Sequence, residues 1–295
     1  MGWLINMIRG FCMALADSVP GVSGGTIAFV MGFYDKFINS LNDIVFGKKE
    51  QKKEAIIFLS KLLVGWALGM IAAVLVLTSF FETNIYEVSS LFIGFIALSI
   101  YFVIKEEKSA LKGKTNNLIF TLIGAILVCL LTYFNPMSGG NLVDISSFNI
   151  GLAAYTFVAA MLAISAMVLP GISGSTILLI FGLYIPIISA IKEVLHFDFS
   201  YLPILIIFGF GILTGLAVVI KGIKAALEKY RSQTMYTIIG LMVGSFYAIV
   251  MGPKTLEVPK APMNIDNFSI LFFIIGGALI FGLQKLRDVL EKKQK

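Results

Sequence analysis

The sequence predicts an all-α polytopic membrane protein built from two inverted repeats, each a re-entrant helix hairpin followed by three transmembrane helices. Three observations predict it. Hydrophobic residues make up 58% of the 295-residue chain and charged residues only 14%, far from the soluble average. A Pro-Gly-x-Ser-Gly segment occurs twice, at an offset of 150. The basic residues collect in some loops and avoid others, as a positive-inside orientation demands.

The first repeat, residues 1–147, reads as a hairpin over 3–40 and spans over 55–81, 86–104 and 117–135. Each span is an apolar run of the length, about 20 residues, that a helix needs to cross the hydrocarbon core. In the hairpin, Pro20 lacks an N–H and disfavours helix in the residue before it, so it ends the first arm. Gly21, Gly24 and Gly25 permit a tight turn and close approach of a ligand to bare backbone. Ser23 then stands at the N-cap of the second arm, with Thr26 in its first turn. Ala14-Leu15-Ala16 resembles the end of a cleaved signal peptide. Arg9 interrupts the would-be apolar region, however, and the segment has an internal counterpart, so a retained hairpin is expected.

The second repeat, residues 148–295, reads as a hairpin over 148–195 and spans over 201–220, 234–252 and 268–284. Pro20 through Ile27 recurs as Pro170 through Ile177, with Gly171, Ser173, Gly174, Ser175 and Thr176 in the loop, and Gly32-Phe33-Tyr34 recurs as Gly182-Leu183-Tyr184. The copies differ chemically, because the same offset aligns Arg9 with Ala159 and Asp17 with Met167.

Sidedness follows from the basic residues. Lys36, Lys48, Lys49, Lys52 and Lys53 precede the first long span, and Lys105, Lys108, Lys112 and Lys114 lie between the second and third. Lys221, Lys224, Lys229 and Arg231 share one loop of the second half, and Lys285, Arg287, Lys292, Lys293 and Lys295 lie in the tail. The segments 82–87 and 135–147 contain none. Loops rich in Lys and Arg are cytoplasmic, so the C-terminal tail is cytoplasmic too. A hairpin that returns to its starting side leaves three net crossings per half, and an odd number inverts the second half. Arms that each cross fully give the same sidedness. Re-entrance is favoured because a Pro-Gly turn frees backbone N–H groups, which are tolerated at membrane depth only within protein or beside a cavity.

The loops are candidate anion sites. A helix N-terminus offers up to four unpaired N–H donors and about half a positive charge, which suit phosphate or carboxylate. Two such ends entering from opposite faces aim at one point. The competing reading is a pair of tight hairpins whose Ser and Thr side chains only cap helices. Ionisable residues inside the membrane mark function by default, and Arg9, Asp17 and Lys61 qualify. Arg9 is expected to assist anion capture and Lys61 to contact phosphate, unless either snorkels to the interface. Asp17, three residues before Pro20, is expected to handle a coupling proton or cation, or else to cap a helix or pair with Arg9.

At Pro20 to Thr26, with Gly32 and Tyr34, the chain resembles the polyprenyl-phosphate transporter family, and the resemblance runs over essentially the whole chain. The second copy departs from the pattern at Ser175, where a glycine is expected. The resemblance implies a transporter rather than an enzyme, carrying undecaprenyl phosphate from the outer to the inner leaflet of the bacterial inner membrane for carrier-lipid recycling in cell-wall synthesis. Moving one negative charge inward against about 100 mV costs about 2.3 kcal/mol, which is why cation coupling or partial protonation is expected.

Other classes fit less well. The net charge of +6 comes from loop Lys and Arg rather than one basic face, so no nucleic-acid partner is expected. Cys12 and Cys129 lie in apolar runs without metal-ligand spacing, and neither metal nor cofactor is expected. A lipid phosphatase would need a His, Asp or metal cluster, yet the one histidine, His196, falls in a loop. An anion channel or small-anion exchanger using the same helix ends remains the alternative. Gly65 and Gly69, like Gly211 and Gly215, permit close helix packing, either within the chain or between copies.

Overall fold

A computed structural model describes residues 2–18, 23–73, 84–133, 143–145, 149–255 and 259–292, most of them helical. The first half runs α1 (Gly2–Asp17), α2 (Gly24–Val30), α3 (Tyr34–Phe46), α4 (Lys49–Ala72), α5 (Ile85–Glu106), a one-turn α6 (Lys108–Leu111) and α7 (Leu118–Tyr133). The second runs α8 (Ile150–Val168), α9 (Gly174–Ile180), α10 (Tyr184–Leu195), α11 (Leu202–Lys229), α12 (Arg231–Met251) and α13 (Ile270–Lys292). Among the described residues, six helices are long and apolar enough to cross a membrane: α4, α5, α7 with the turn before it, α8, α11 and α12. In α13 the apolar stretch, Ile270–Lys285, is shorter. That α8 is among the six matches the length of a fully crossing arm, whereas α1 has 16 residues.

The predicted hairpins are more broken than a helix, loop, helix. Each second arm is two helices with a sharp turn between them, and α9 and α10 are bent by 107°. The turn is the duplicated Gly-x-Tyr segment, where Gly32 and Gly182 take φ of +67° and +64°. Only glycine adopts that region without steric cost. Each short helix thus ends where its left-handed glycine turns the chain.

Lipid does not drive helices together as water does, so close backbone contact through small residues takes over. A Cβ on Gly65 would lie 1.9 Å from the Met7 carbonyl oxygen, and one on Gly211 would lie 2.6 Å from that of Phe157. Gly69 meets Phe11 as Gly215 meets Met161. These contacts pack α1 along α4 and α8 along α11, so the paired glycines serve packing within the chain.

The remaining long helices pair across the halves. Gly94 of α5 faces the Phe273 carbonyl of α13, and Gly240 of α12 faces the Thr121 carbonyl of α7. Gly276 faces Leu91, and Gly124 faces Thr237. The pairing is reciprocal: second span of one half with third span of the other, both ways. Both pairs run parallel, since Ser269 and Phe281 lie beside Ser90 and Phe102, and Asn117 and Thr121 beside Ser232 and Tyr236.

The halves differ in what they bury. All seven residues of α2 are buried, in a core shared with Ile96, Met235, Ile238, Met242 and Ile280. Only Gly174 and Ile177 of α9 are buried. Ion pairs join the halves where α5 ends and α12 begins. Arg231 reaches Glu107 at 2.6 Å and Asp35 at 3.1 Å, while Arg287 pairs with Glu106.

Candidate functional site

The two loops touch. The Ser23 hydroxyl donates to the Leu169 carbonyl at 3.1 Å, one residue before Pro170. Tyr34, buried to 2% exposure, donates its hydroxyl hydrogen to the Val168 carbonyl at 3.3 Å. A Cβ on Gly25 would lie 3.1 Å from that same Val168 oxygen. The C-terminus of α8 exposes unpaired carbonyls because Pro170 cannot continue the helix, and the first hairpin supplies their donors.

At the first loop the helix-end donors are already engaged. The Asp17 carboxylate accepts from the Gly24 N–H at 2.7 Å and from Trp66 Nε1–H at 3.0 Å. The Ser23 hydroxyl oxygen accepts from the Gly25 N–H at 3.1 Å, as an N-cap does. Ser23 and Thr26 are each 1% exposed. The expected open cradle is therefore filled by the chain's own carboxylate, and a second anion reaches Gly24 only by displacing it. Gly24 must be glycine for this reason: a Cβ there would stand 2.7 Å from Asp17 Oδ2. Pro20 and Gly21 lie outside the described residues.

The second loop is built differently. Gly171 has φ of +86°, and a Cβ on it would lie 2.7 Å from the Leu241 carbonyl of α12. Gly174 packs on the Ala163 carbonyl. Ser173 occupies the N-cap of α9 but makes no capping bond; its hydroxyl shares a 2.7 Å hydrogen bond with that of Ser175. Ser175 and Thr176 are half-buried, so hydroxyls rather than a carboxylate line this side.

Arg9 and Lys61 lie elsewhere. Arg9 is eight residues before Asp17 on α1, about 12 Å along the helix. It donates to Asn6 at 3.2 Å and lies over the Phe33 ring at 4.8 Å. Lys61 lines a cavity of about 580 Å³ between α1, α3 and α4. His196 sits exposed in the turn after α10.

Sequence reasoning missed two contributors to the loop site. Trp66 belongs to an apolar span, and its only polar signal is the indole N–H, which needs a partner when buried. Tyr34 was read as part of a turn, although a phenol in an apolar segment also announces a hidden acceptor.

The residues 13–266 match the family model described as undecaprenyl phosphate translocase-like. A polyprenyl-phosphate transporter of Staphylococcus aureus is 33% identical over 277 residues, covering 92% of this chain and 93% of that protein. A polyprenyl-phosphate transporter of Vibrio cholerae is 28% identical over 321 residues, covering 98% of each. No solved structure matches. With its six apolar spans among the described residues, the chain is a multi-pass membrane protein that belongs to the undecaprenyl phosphate translocase-like family.

Proposed function

We propose that the chain carries undecaprenyl phosphate from the outer to the inner leaflet of the bacterial inner membrane, returning the carrier lipid for cell-wall synthesis, with its C-terminal tail in the cytoplasm. The substrate class rests on the family and on the names of the two relatives. The observation that carries the mechanism is the Ser23 to Leu169 contact, which brings duplicated loops from the two halves to one place.

An inverted-repeat plan supports alternating access around that place. Reciprocal pairing of α5 with α13 and of α12 with α7 is what a two-fold relation between halves requires. Tyr230 alone separates α11 from α12, and Arg231 at the start of α12 meets Glu107 just past the end of α5. Equivalent helices α5 and α12 therefore run in opposite directions, which supports inversion.

In this mechanism the phosphate replaces the Asp17 carboxylate at Gly24, with Ser23, Gly25, Thr26 and Gly21 on one side and Gly171, Ser173, Gly174, Ser175 and Thr176 on the other. Protonation of Asp17, or a cation bound to it, removes the repulsion between the two anions and lets both move together. That offsets the electrical cost of inward transfer, about 2.3 kcal/mol per charge at about 100 mV. Neither relative's name favours the small-anion channel or exchanger.

The test is purified protein in liposomes with polyprenyl phosphate in the outer leaflet, read by the protection of headgroups from an added phosphatase. Protein-dependent protection supports the reading; flux of inorganic anions without lipid movement sinks it.

A further inference from the structure

A cavity of about 580 Å³ lies apart from the described residues of the loops. It lies between α1, α3 and α4, at the end of the bundle where α4 begins beside Lys48, Lys49, Lys52 and Lys53. Asn6, Lys36, Asn39 and Lys61 line it, together with Asp43 and Glu54. We propose that this cleft is a separate headgroup station for a phosphate monoester, from which an anionic lipid leaves or enters the protein at that membrane face. The inference rests on the transport reading above.

One lysine of the cleft, Lys36, belongs to a stack that runs through Phe58 to Arg9 beside it. Arg9 lies 4.8 Å over the Phe33 ring, Phe33 meets Phe58 edge-on at 6.5 Å, and Lys36 lies 4.8 Å over Phe58. Two rings in contact, Phe33 in the turn before α3 and Phe58 of α4, are thus flanked by Arg9 of α1 and Lys36 of α3. Such stacking holds a cation in place while leaving its N–H donors directed outward, and the Asn6 amide oxygen takes one donor of Arg9.

The repeat shows that the fold does not need this stack. Offset by 150, Arg9, Phe33 and Lys36 become Ala159, Leu183 and Pro186. In the first long span the packing glycines Gly65 and Gly211 are 146 positions apart, and that offset turns Phe58 and Lys61 into Ile204 and Ile207. Ala159, Leu183 and Ile204 form one buried apolar cluster, with exposures of 0%, 0% and 2%. The same architecture is therefore closed with aliphatic side chains in one half and opened as a charged cleft, with Lys36 and Lys61 beside Asp43 and Glu54, in the other. Lys36 and Lys61 have no charged counterpart in the second half, and two lysines beside amide groups suit a compact, highly charged phosphate monoester.

The cleft also has an exposed apolar edge. Ile57 lines it and is 43% exposed, so a headgroup held by Lys36 and Lys61 keeps its hydrocarbon tail outside the protein. Asp43 and Glu54, in the same lining, supply carboxylates that compete for the lysines once the phosphate has gone.

The experiment places p-benzoylphenylalanine at Ile57 in the full-length protein, in nanodiscs, and photo-crosslinks radiolabelled dodecyl phosphate. Lys36→Gln with Lys61→Gln is expected to reduce labelling about tenfold or more, Lys36→Arg with Lys61→Arg to retain it, and Glu54→Gln to raise it. Competition by inorganic phosphate at the same concentration as dodecyl phosphate assigns the station to free phosphate; competition only by lipid phosphates assigns it to a headgroup. Unchanged labelling in the double Gln variant overturns the proposal. If that variant does not fold, Glu54→Gln decides, and a failure to raise labelling overturns the proposal equally. Lipid translocation measured on the same unlabelled wild-type protein keeps the two readings apart: labelling without translocation sinks the transport reading alone, and translocation with labelling indifferent to the lysines sinks the station alone.

Discussion

Ser23 of the first hairpin and Leu169 of the second are joined by a hydrogen bond of 3.1 Å across 146 residues of sequence. The same Ser23 oxygen accepts from Gly25 N–H, so one hydroxyl both starts α2 and holds the two loops together. Ser23→Ala should lower stability by about 1–2 kcal/mol, read as a fall in detergent melting temperature, and reduce translocation. Ser173→Ala should cost less, because the Ser173 hydroxyl bonds only to the Ser175 hydroxyl within its own loop. Equal effects would show that the inter-loop bond carries no special weight.

Asp17→Asn tests whether the carboxylate at Gly24 is a coupling group or a cap. The amide retains one acceptor for Gly24 N–H or Trp66 Nε1–H but loses the charge that repels phosphate. Phosphate lipid should still bind, and the pH or cation dependence of translocation should vanish. Trp66 gives a direct readout: in a Trp3→Phe background it is the remaining tryptophan, and ligand binding that displaces Asp17 should shift its emission. A Trp66 signal indifferent to lipid, with unchanged pH dependence, makes Asp17 purely structural.

Arg9→Gln should weaken translocation several-fold while membrane insertion, read by expression and melting temperature, stays normal. Glutamine keeps a hydrogen bond to Asn6 but abandons the Phe33 ring, a loss of about 0.5–2 kcal/mol. Arg9→Lys should recover part of the activity. Normal translocation by Arg9→Gln would make Arg9 a snorkelling residue.

The glycine contacts predict a pattern of tolerance. Gly94→Ala and Gly240→Ala place a methyl 2.0 Å and 2.1 Å from carbonyl oxygens of the facing helix, so both should destabilise by about 1–3 kcal/mol and do so alike, as repeat equivalents. Gly209→Ala and Gly282→Ala meet nothing within 4 Å and should be neutral or slightly stabilising by helix propensity. Thermal unfolding of the four variants is a sufficient check.

The sequence by itself determined the helical membrane class and carries the duplicated loop outright, because apolar runs, repeated prolines and left-handed glycines act locally. Gly32 and Gly182 turn the chain whatever surrounds them, and Pro170 ends α8 from within its own residue. Even the chemical inequality of the two hairpins was legible, as Arg9 opposite Ala159 and Asp17 opposite Met167. Partnership was not. That Asp17 would occupy the donors of α2, that Tyr34 would reach Val168, that Arg9 would stack on Phe33 and that Lys61 would line a cleft depend on which faces meet. Those faces are set by α5 seating against α13 and α12 against α7, pairings between residues 113 to 185 positions apart. Hydropathy cannot specify such pairings, since in lipid every apolar face is equally satisfied. Close backbone contact at a few glycines, and the need of each buried polar atom for a partner, decide them only once the chain is folded.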